Sequence, residues 1–203
     1  MRTITVGVVD YGSGNQASVV HSLRSLGIRV RIGGTPDELD GTHLLVLPGV
    51  GAFPAAMEVL HQKGLVSYLK ESARNGRPLI GICLGMQLLM SGSHEHCYTE
   101  GLDLIPGEVI PFDGQSVHIG WNTLELTRQT APWSASDGEA FYFNHSYYLS
   151  APEEYQVAVT RHQSVFTSAL QRGKVVGLQF HPEKSQSAGK VLLKNLIIEL
   201  THA

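Results

Sequence analysis

The sequence GICLG, residues Gly81–Gly85, places a cysteine between two glycines where an apolar run gives way to residues at helical spacing. This is the pattern of a nucleophile elbow, a sharp strand–turn–helix that presents a reactive side chain. The turn leaves no room for side chains two positions before or after the nucleophile, and glycine meets that condition on both sides of Cys83. At a helix N-terminus a thiol is favoured as thiolate, and the N–H of Leu84 would point to an oxyanion beside the sulfur. A buried core cysteine is the alternative, because free cysteine often packs as a small apolar residue.

A base for this thiol is found in the segment GLQFHPE near the end of the chain. The apolar run predicts a strand, so His181 emerges at its end, with Glu183 two residues on and Pro182 stiffening the link. This spacing lets the Glu183 carboxylate accept from Nδ1–H of His181 and leaves Nε2 free to face a thiol. On its own, a His-x-Glu pair is an ordinary surface turn. Together with the elbow cysteine, it predicts a Cys83–His181–Glu183 triad.

Hydrophobic periodicity predicts the elements that position these residues. Up to about residue 100, short apolar runs alternate with segments of helical spacing, which indicates βαβ units and a parallel sheet covered on both faces. Strands are predicted at 4–10, 29–32, 44–48 and 77–82. After Gly101, short strands are joined by Gly, Pro, Ser and Asn turns, and a helix at about 187–200 closes the chain. We therefore expect one α/β domain over residues 1–203, with a mixed, mostly parallel central sheet, flanking helices and additional antiparallel strands in the C-terminal half.

Composition limits the classes of function. The 203 residues are 42% hydrophobic and 16% charged, enough for one buried core. The formal net charge of −3, with no long run of one sign, argues against binding to nucleic acid or to a membrane surface. No apolar stretch approaches the roughly 18–20 residues that span a bilayer. With no signal-peptide pattern and only the cysteines Cys83 and Cys97, we expect a cytoplasmic protein.

At its motifs the sequence resembles the class I (triad) glutamine amidotransferases, and among them the glutaminase subunits of imidazole glycerol phosphate synthase. The matching segments, in chain order, are VVDYGSGN, LPGVGAF, GICLGMQLL, HIGWN, FYFNHSY and GLQFHPEKS. The resemblance implies a flavodoxin-like fold, no cofactor, and hydrolysis of L-glutamine to glutamate and ammonia. Cys83 would attack the side-chain amide, and His181 would protonate the leaving ammonia and then activate water. Glu183 would orient His181.

The segment PGVG, residues 48–51, matches the oxyanion segment of this family. We expect the N–H groups of Val50 and Leu84 to stabilise the tetrahedral oxyanion. Gly51 completes this oxyanion set, because a peptide flanked by glycines can rotate its N–H towards or away from the site at small steric cost. A plain turn after a strand is the alternative.

The resemblance also predicts the residues that bind the amino-acid end of glutamine. Gln87 follows Cys83 by one helical turn and so shares its face. Glu95 matches the family acid that meets the substrate ammonium. The predicted set is Gly49, Gln87, Glu95, Ser146 and Tyr147, the last two acting mainly through their backbone. A solvent-facing helix position is the alternative for Gln87.

A partner is implied because ammonia released into neutral water becomes ammonium and is no longer a nucleophile. The family uses a cyclase or synthase of (β/α)₈-barrel type, bound as a heterodimer. Trp121, Asn122, Tyr142 and Lys184 fall on family positions at the docking surface, and Trp and Tyr are common interface anchors. Core packing is the alternative for Trp121.

Departures from the family pattern leave the ammonia acceptor open. Val117 stands before HIGWN, where proline is usual, and HEHCYTE replaces an acidic run around Glu95. GNQAS, near the start of the chain, also departs slightly. Histidine biosynthesis is the main interpretation. A paralogous subunit, feeding a cyclase-like synthase in surface-polysaccharide sugar biosynthesis, is the alternative.

Rival classes of function depend on two other patterns. Residues 12–17 fit G-x-G-x-x-A after a first strand, but the second strand ends in Ile32-Gly33-Gly34 without an acid to hold a ribose. We therefore prefer a structural turn to a nucleotide-binding module.

His94, His96 and Cys97 could hold a metal, but we expect a polar loop and no metal site. A non-catalytic interaction module is the remaining alternative.

Overall fold

The computed structural model describes residues 4–115 and 117–202. Strands and helices alternate in its first half, as predicted. The strands are β1 (Thr5–Val9), β2 (Arg29–Gly33), β3 (Leu44–Leu47) and β4 (Leu79–Ile82). The helices are α1 (Gln16–Ser25), α2 (Pro36–Leu39), α3 (Phe53–Gln62), α4 (Leu65–Arg74) and α5 (Leu84–Leu88). β3 and β4 are buried at every position, which explains their continuous apolar runs.

The second half consists of short strands and one long helix. The strands are β5 (Gly92–Ser93), β6 (Thr99–Glu100), β7 (Glu108–Pro111), β8 (His118–Thr123), β9 (Glu125–Leu126), β10 (Ala140–His145), β11 (Tyr147–Ser150), β12 (Gln156–Arg161), β13 (Val165–Arg172) and β14 (Val175–Leu178). Helix α6 (Gln186–His202) closes the chain. The run AFYFNHSYYL, which reads as one strand, is divided at Ser146 into β10 and β11.

The central sheet has eight strands in the order β2-β1-β3-β4-β14-β13-β12-β9. The first five are parallel neighbours, and β13, β12 and β9 continue the sheet in antiparallel fashion. α1 and α6 pack on one face, and α3, α4 and α5 on the other. β10 pairs with β8, and β11 joins a second small sheet with β7, β5 and β6. This mixed α/β architecture confirms the predicted fold.

The parallel strands bring their carboxyl ends to one edge of the sheet. β4 lies between β3 and β14, and Ile82 is paired with Leu178. The segments after these strands therefore meet, and they contain the PGVG segment, Cys83 and His181. Across residues 4–115 and 117–202, every helix is too short or too polar to span a lipid bilayer.

Candidate active site

Cys83 occupies a strained turn between β4 and α5. Its φ of 54° and ψ of −111° lie outside the regions that non-glycine residues usually adopt. A Cβ on Gly81 would lie 2.5 Å from the carbonyl oxygen of Gly85, and one on Gly85 would overlap the carbonyl oxygen of Leu47. The Cys83 N–H donates to the carbonyl of Leu178 on β14 at 2.7 Å. Glycine at both flanks is thus a steric requirement, as the elbow predicts.

His181 and Glu183 form a buried pair beside this turn. Nδ1 of His181 lies 2.7 Å from Oε1 of Glu183, and both side chains are fully shielded from solvent. Burial alone lowers the pKa of His181, but hydrogen bonding and charge interactions with Cys83 and Glu183 outweigh it and raise the pKa to about 9. Nε2 of His181 is buried, and apart from the nearby Cys83 thiol no group among the described residues is placed to hydrogen-bond with it. The nitrogen predicted to face the thiol is therefore unoccupied by another partner.

Asn15, which sequence analysis did not single out, completes the surroundings of this pair. Its side-chain amide donates to Oε1 of Glu183 at 2.5 Å. The turn before it is held by the Gly12 N–H, which donates to Asp10 at 3.0 Å. The glycine-rich turn therefore supplies a donor to Glu183, in keeping with the structural turn preferred over a nucleotide site.

A cavity of about 210 Å³ opens next to Cys83. It is lined by Val50, Gly51, Cys83, Leu84, Gln87, Glu95, Asn144, His145, Ser146 and Tyr147. Four of the five residues predicted to bind glutamine lie here. Gly49 does not line the cavity. A Cβ at Gly49 would overlap the hydroxyl of Tyr11 and approach Leu84 to 2.9 Å, so its place is explained by packing.

Gln87 is buried, which excludes the solvent-facing alternative. Its amide nitrogen donates to the carbonyl of Tyr147 at 3.2 Å and to Oε1 of Gln179 at 3.3 Å. Both amide hydrogens are thus used, and the Gln87 side-chain oxygen remains to accept a bond. Gln179, also missed by sequence analysis, is fully buried, and its amide nitrogen lies 4.0 Å from the Cys83 sulfur.

Glu95 lines the cavity and also bonds to the start of the helix that follows the PGVG segment. Its Oε2 accepts from the N–H of Phe53, the first residue of α3, at 2.7 Å. The carboxylate therefore neutralises a helix N-terminus while it lines the cavity. A substrate ammonium at this point would meet a carboxylate whose position is already defined.

The N–H of Val50 is not directed to an oxyanion in this structure. It donates to the hydroxyl of Ser13 at 3.0 Å. Gly51 has φ 111°, and a Cβ there would meet no atom within 4 Å, so its constraint is backbone conformation alone. The predicted donor pair of Val50 and Leu84 therefore requires rotation of the Val50 peptide.

The predicted docking residues divide between the two faces of the β8–β10 ladder. Trp121 is 51% exposed, which excludes core packing, and its ring meets Tyr142 edge-on with centroids 6.2 Å apart. Nζ of Lys184 lies 5.8 Å from the centre of the Tyr142 ring. Asn122, next along the strand, points to the opposite face, and its amide donates to the carbonyl of Arg161 at 2.8 Å. The structure does not bring Asn122 together with the other three.

In the His94–Cys97 loop, Nε2 of His94 lies 2.8 Å from Oε2 of Glu108 on β7. No group of three or more His, Cys, Asp or Glu side chains that could hold a metal is present among the described residues. Both cysteines of the chain are free, Cys83 buried and Cys97 exposed.

A cysteine in a strained turn beside a buried His–Glu pair can act as a nucleophile, and comparison with known proteins identifies the class of enzyme. The family model described as glutamine amidotransferase class-I matches residues 7–200. The chain therefore belongs to the class-I glutamine amidotransferases and is an enzyme with the glutaminase chemistry of that class.

Within the class, the chain is of the HisH type. It is 42% identical over 191 residues to the imidazole glycerol phosphate synthase subunit HisH of Listeria monocytogenes, with 92% of each chain covered. It is 43% identical over 195 residues to the subunit of the same name from Streptococcus mutans, with 94% of this chain and 96% of the relative covered.

Solved structures agree with the fold. A crystal structure of a glutamine amidotransferase superposes with a TM-score of 0.78 at 20% identity, covering 98% of this chain and 99% of the other. PurLQS from Thermotoga maritima gives a TM-score of 0.77 at 18% identity, covering 98% and 100%.

Proposed function

We propose that this protein is the glutaminase subunit of an imidazole glycerol phosphate synthase. It hydrolyses L-glutamine to glutamate and ammonia and passes the ammonia to a (β/α)₈-barrel cyclase in histidine biosynthesis. The observation that carries the proposal is the convergence of Cys83 with the buried His181–Glu183 pair beside a cavity of about 210 Å³. The HisH relatives favour the histidine pathway over a paralogous sugar pathway.

The proposed chemistry uses Cys83 as nucleophile and His181 as acid and base. Nε2 of His181 takes the thiol proton, and the thiolate attacks the side-chain carbonyl of glutamine. The tetrahedral intermediate collapses as the imidazolium gives its proton to the amide nitrogen, and ammonia leaves. His181 then removes a proton from water, which attacks the γ-glutamyl thioester and releases glutamate and the thiol. The raised pKa of His181 supports the ion-paired state that begins this sequence.

Glu183 and Asn15 keep the base in position. The Glu183 carboxylate accepts from Nδ1–H of His181, which leaves the Nε2 lone pair for the thiol proton. Asn15 donates to the same carboxylate oxygen and holds it in place. Because the whole group is buried, water does not compete for these bonds.

Oxyanion stabilisation is proposed to depend on the Val50 peptide. While the Val50 N–H donates to Ser13, it is not available to an oxyanion beside Cys83. Rotation of the Gly49–Val50 peptide, which carries this N–H, would turn it into the cavity beside Leu84. A partner that favours the rotated form would switch the glutaminase on only when ammonia can be used.

The docking surface proposed for the cyclase consists of Ile119, Trp121, Tyr142 and Lys184. Ile119 and Trp121 are exposed on the same face of β8, at 64% and 51%. Asn144 lies opposite Ile119 on β10, and its carbonyl oxygen is 3.7 Å from the Cys83 sulfur. The exposed face thus adjoins the site where ammonia is released, which suits a partner that must receive it.

We further propose that residues 1–203 form one amidotransferase domain. A thiol nucleophile needs reducing conditions, so we assign the protein to the cytoplasm.

The test is to trap Cys83 with a diazo ketone analogue of glutamine and to locate the adduct by mass spectrometry. Wild-type protein is expected to be labelled at Cys83, and faster when a (β/α)₈-barrel cyclase of the histidine pathway is added. Cys97→Ala should be labelled as wild type is, and Cys83→Ala should not be labelled. Labelling at Cys97, or none with or without the cyclase, would contradict the proposal.

A further inference from the structure

Two buried histidines form a hydrogen-bonded chain behind one wall of the cavity. His145 is 6% exposed and His118 is 4% exposed, and neither belongs to the proposed triad. Nδ1 of His145 lies 2.8 Å from the carbonyl oxygen of Tyr147, and Nε2 lies 3.1 Å from Nδ1 of His118. Nε2 of His118 lies 3.2 Å from the side-chain nitrogen of Asn122. The chain therefore runs from β8 through β10 to the start of β11.

The direction of every bond in this chain is determined by its ends. A carbonyl oxygen only accepts, so Nδ1 of His145 carries the proton and its Nε2 accepts. His118 must then donate from Nδ1 and accept at Nε2. Asn122 supplies that last proton, and its orientation is defined because its Oδ1 accepts from the Thr123 N–H at 2.9 Å. Only neutral imidazoles satisfy all these bonds.

The surroundings favour the neutral forms. The His118 ring is stacked between Phe143, with centroids 4.7 Å apart, and His162, with centroids 4.4 Å apart. Burial lowers the pKa of His118 to about 4 and that of His145 to about 3. The chain is thus a set of fixed dipoles that does not titrate near neutral pH.

This chain ends at the backbone that forms one side of the cavity. Residues 144–147 line it, and the Asn144 carbonyl oxygen lies 3.7 Å from the Cys83 sulfur. The Tyr147 carbonyl accepts both from His145 and from Gln87. Ser146 is the one residue between two strands of different sheets, and its carbonyl accepts from the Phe112 N–H at 3.5 Å. The bonds from His145 and Gln87 add a side-chain restraint to this backbone.

We propose that His145 and His118 are positioning residues for glutamine, an inference that rests on the proposed function. His145 holds the Tyr147 carbonyl, and His118 holds His145. Together they keep the 144–147 backbone and Gln87 in the arrangement that receives the amino-acid end of the substrate. Asn122 belongs to this chain and not to the docking surface.

The test compares variants that keep or lose the donor. In His145→Asn the side-chain nitrogen takes the place of Nδ1 and can still donate to Tyr147, whereas His145→Leu cannot. Inactivation by the diazo ketone analogue gives a half-saturating concentration, KI, and a maximal rate. We expect His145→Leu to raise KI at least about fivefold, the factor for one lost hydrogen bond, and His145→Asn to stay within about twofold of wild type.

Two further measurements separate positioning from general loss of structure. Iodoacetamide needs no amino-acid pocket, so its rate with Cys83 should change little in either variant. His21→Leu, at an exposed position on α1, is the matched control and should leave KI unchanged. At position 118 we likewise expect His118→Leu to raise KI and His118→Asn to leave it close to wild type. This second pair tests the proposal if His145→Leu does not fold.

Equal KI values for the Leu and Asn variants, or a loss confined to the maximal rate, would overturn this inference while the glutaminase assignment stands. Wild-type protein that is not labelled at Cys83 would overturn both.

Discussion

The side-chain amide of Asn15 donates to the same Glu183 oxygen that lies 2.7 Å from Nδ1 of His181, across a sequence separation of 168 residues. The bond joins the first βα turn to the last strand's end, and it restrains the carboxylate that orients the proposed base. Asn15→Leu should therefore lower kcat for glutamine hydrolysis by about tenfold, the scale of one hydrogen bond to a charged group. KM should change less than about twofold, because Asn15 does not line the cavity.

The measurement is steady-state glutamate formation by the complex with the cyclase. Asn75→Leu, at the exposed end of α4, serves as the control and should behave as wild type. A raised KM with unchanged kcat in Asn15→Leu would assign Asn15 to substrate binding instead.

The bond from Val50 to Ser13 predicts a variant with a higher basal rate. Ser13→Ala removes the acceptor that holds the Val50 N–H. Rotation of the peptide into the cavity then costs less, and the isolated subunit should hydrolyse glutamine about three- to tenfold faster. Ser13→Thr keeps a hydroxyl and should retain the wild-type basal rate. A basal rate that is unchanged or lower in Ser13→Ala would show that this bond does not limit oxyanion stabilisation.

The lowered pKa values of His118 and His145 predict loss of stability in acid. Both stay neutral in the folded protein, whereas histidines of the unfolded chain titrate near pH 6.5, so the unfolded chain binds more protons below that pH. Their contribution is complete above about pH 6.5 and is lost as the pH falls towards the folded-state pKa values of about 4 and 3. His162, which is stacked on His118, and His181 near His145 add repulsion to any proton taken up.

His181 contributes with the opposite sign. Its folded-state pKa is raised to about 9, so its contribution is full below about pH 6.5 and decreases as the pH rises towards 9. Urea unfolding at pH 7.5, 6 and 4.5 measures how far the free energy of unfolding decreases in acid. This decrease should be smaller than in wild type when His118→Asn is combined with His145→Asn. An equally steep fall in the double variant would mean that other groups cause it.

Trp121 is expected to anchor the cyclase. Trp121→Ala removes a large exposed ring at the centre of the proposed surface and should raise the Kd of the complex at least about tenfold. The Tm of the isolated subunit should not change, because the ring is half exposed. Val191→Ala, an exposed apolar position on α6, is the control and should leave Kd unchanged. Isothermal titration with the cyclase measures the Kd of both variants, and thermal unfolding measures the Tm. Unaltered affinity in Trp121→Ala would remove Trp121 from the proposed docking surface.

Local patterns predicted the strands and helices, and the sharp turn at Cys83, well. The glycines around Cys83 act within their own turn, so their steric role can be predicted from the five residues Gly81–Gly85 alone. Alternation of strands and helices determined which segments end at the same sheet edge. That is why Cys83 and His181 could be placed together from their positions at the ends of β4 and β14.

Long-range and orientational features were harder to predict. Asn15 and Gln179 lie in recognised motifs, but their partners are distant in sequence, and polar residues in turns and at strand ends are common. Asn122 was grouped with Trp121 at the docking surface, although strand alternation places its side chain on the opposite face of β8. The direction of the Val50 N–H depends on one peptide's rotation, which residue types do not determine.

Ser146 alone separates β10 from β11, and those strands belong to different sheets. A link of one residue cannot absorb an added or deleted residue without shifting the register of one strand and turning its side chains to the other face. The length of the chain between Ala140 and Ser150 should therefore resist insertion and deletion in relatives even where individual side chains are exchanged. Engineered loops or tags belong elsewhere, for example at the exposed turn of Gln163 and Ser164 between β12 and β13.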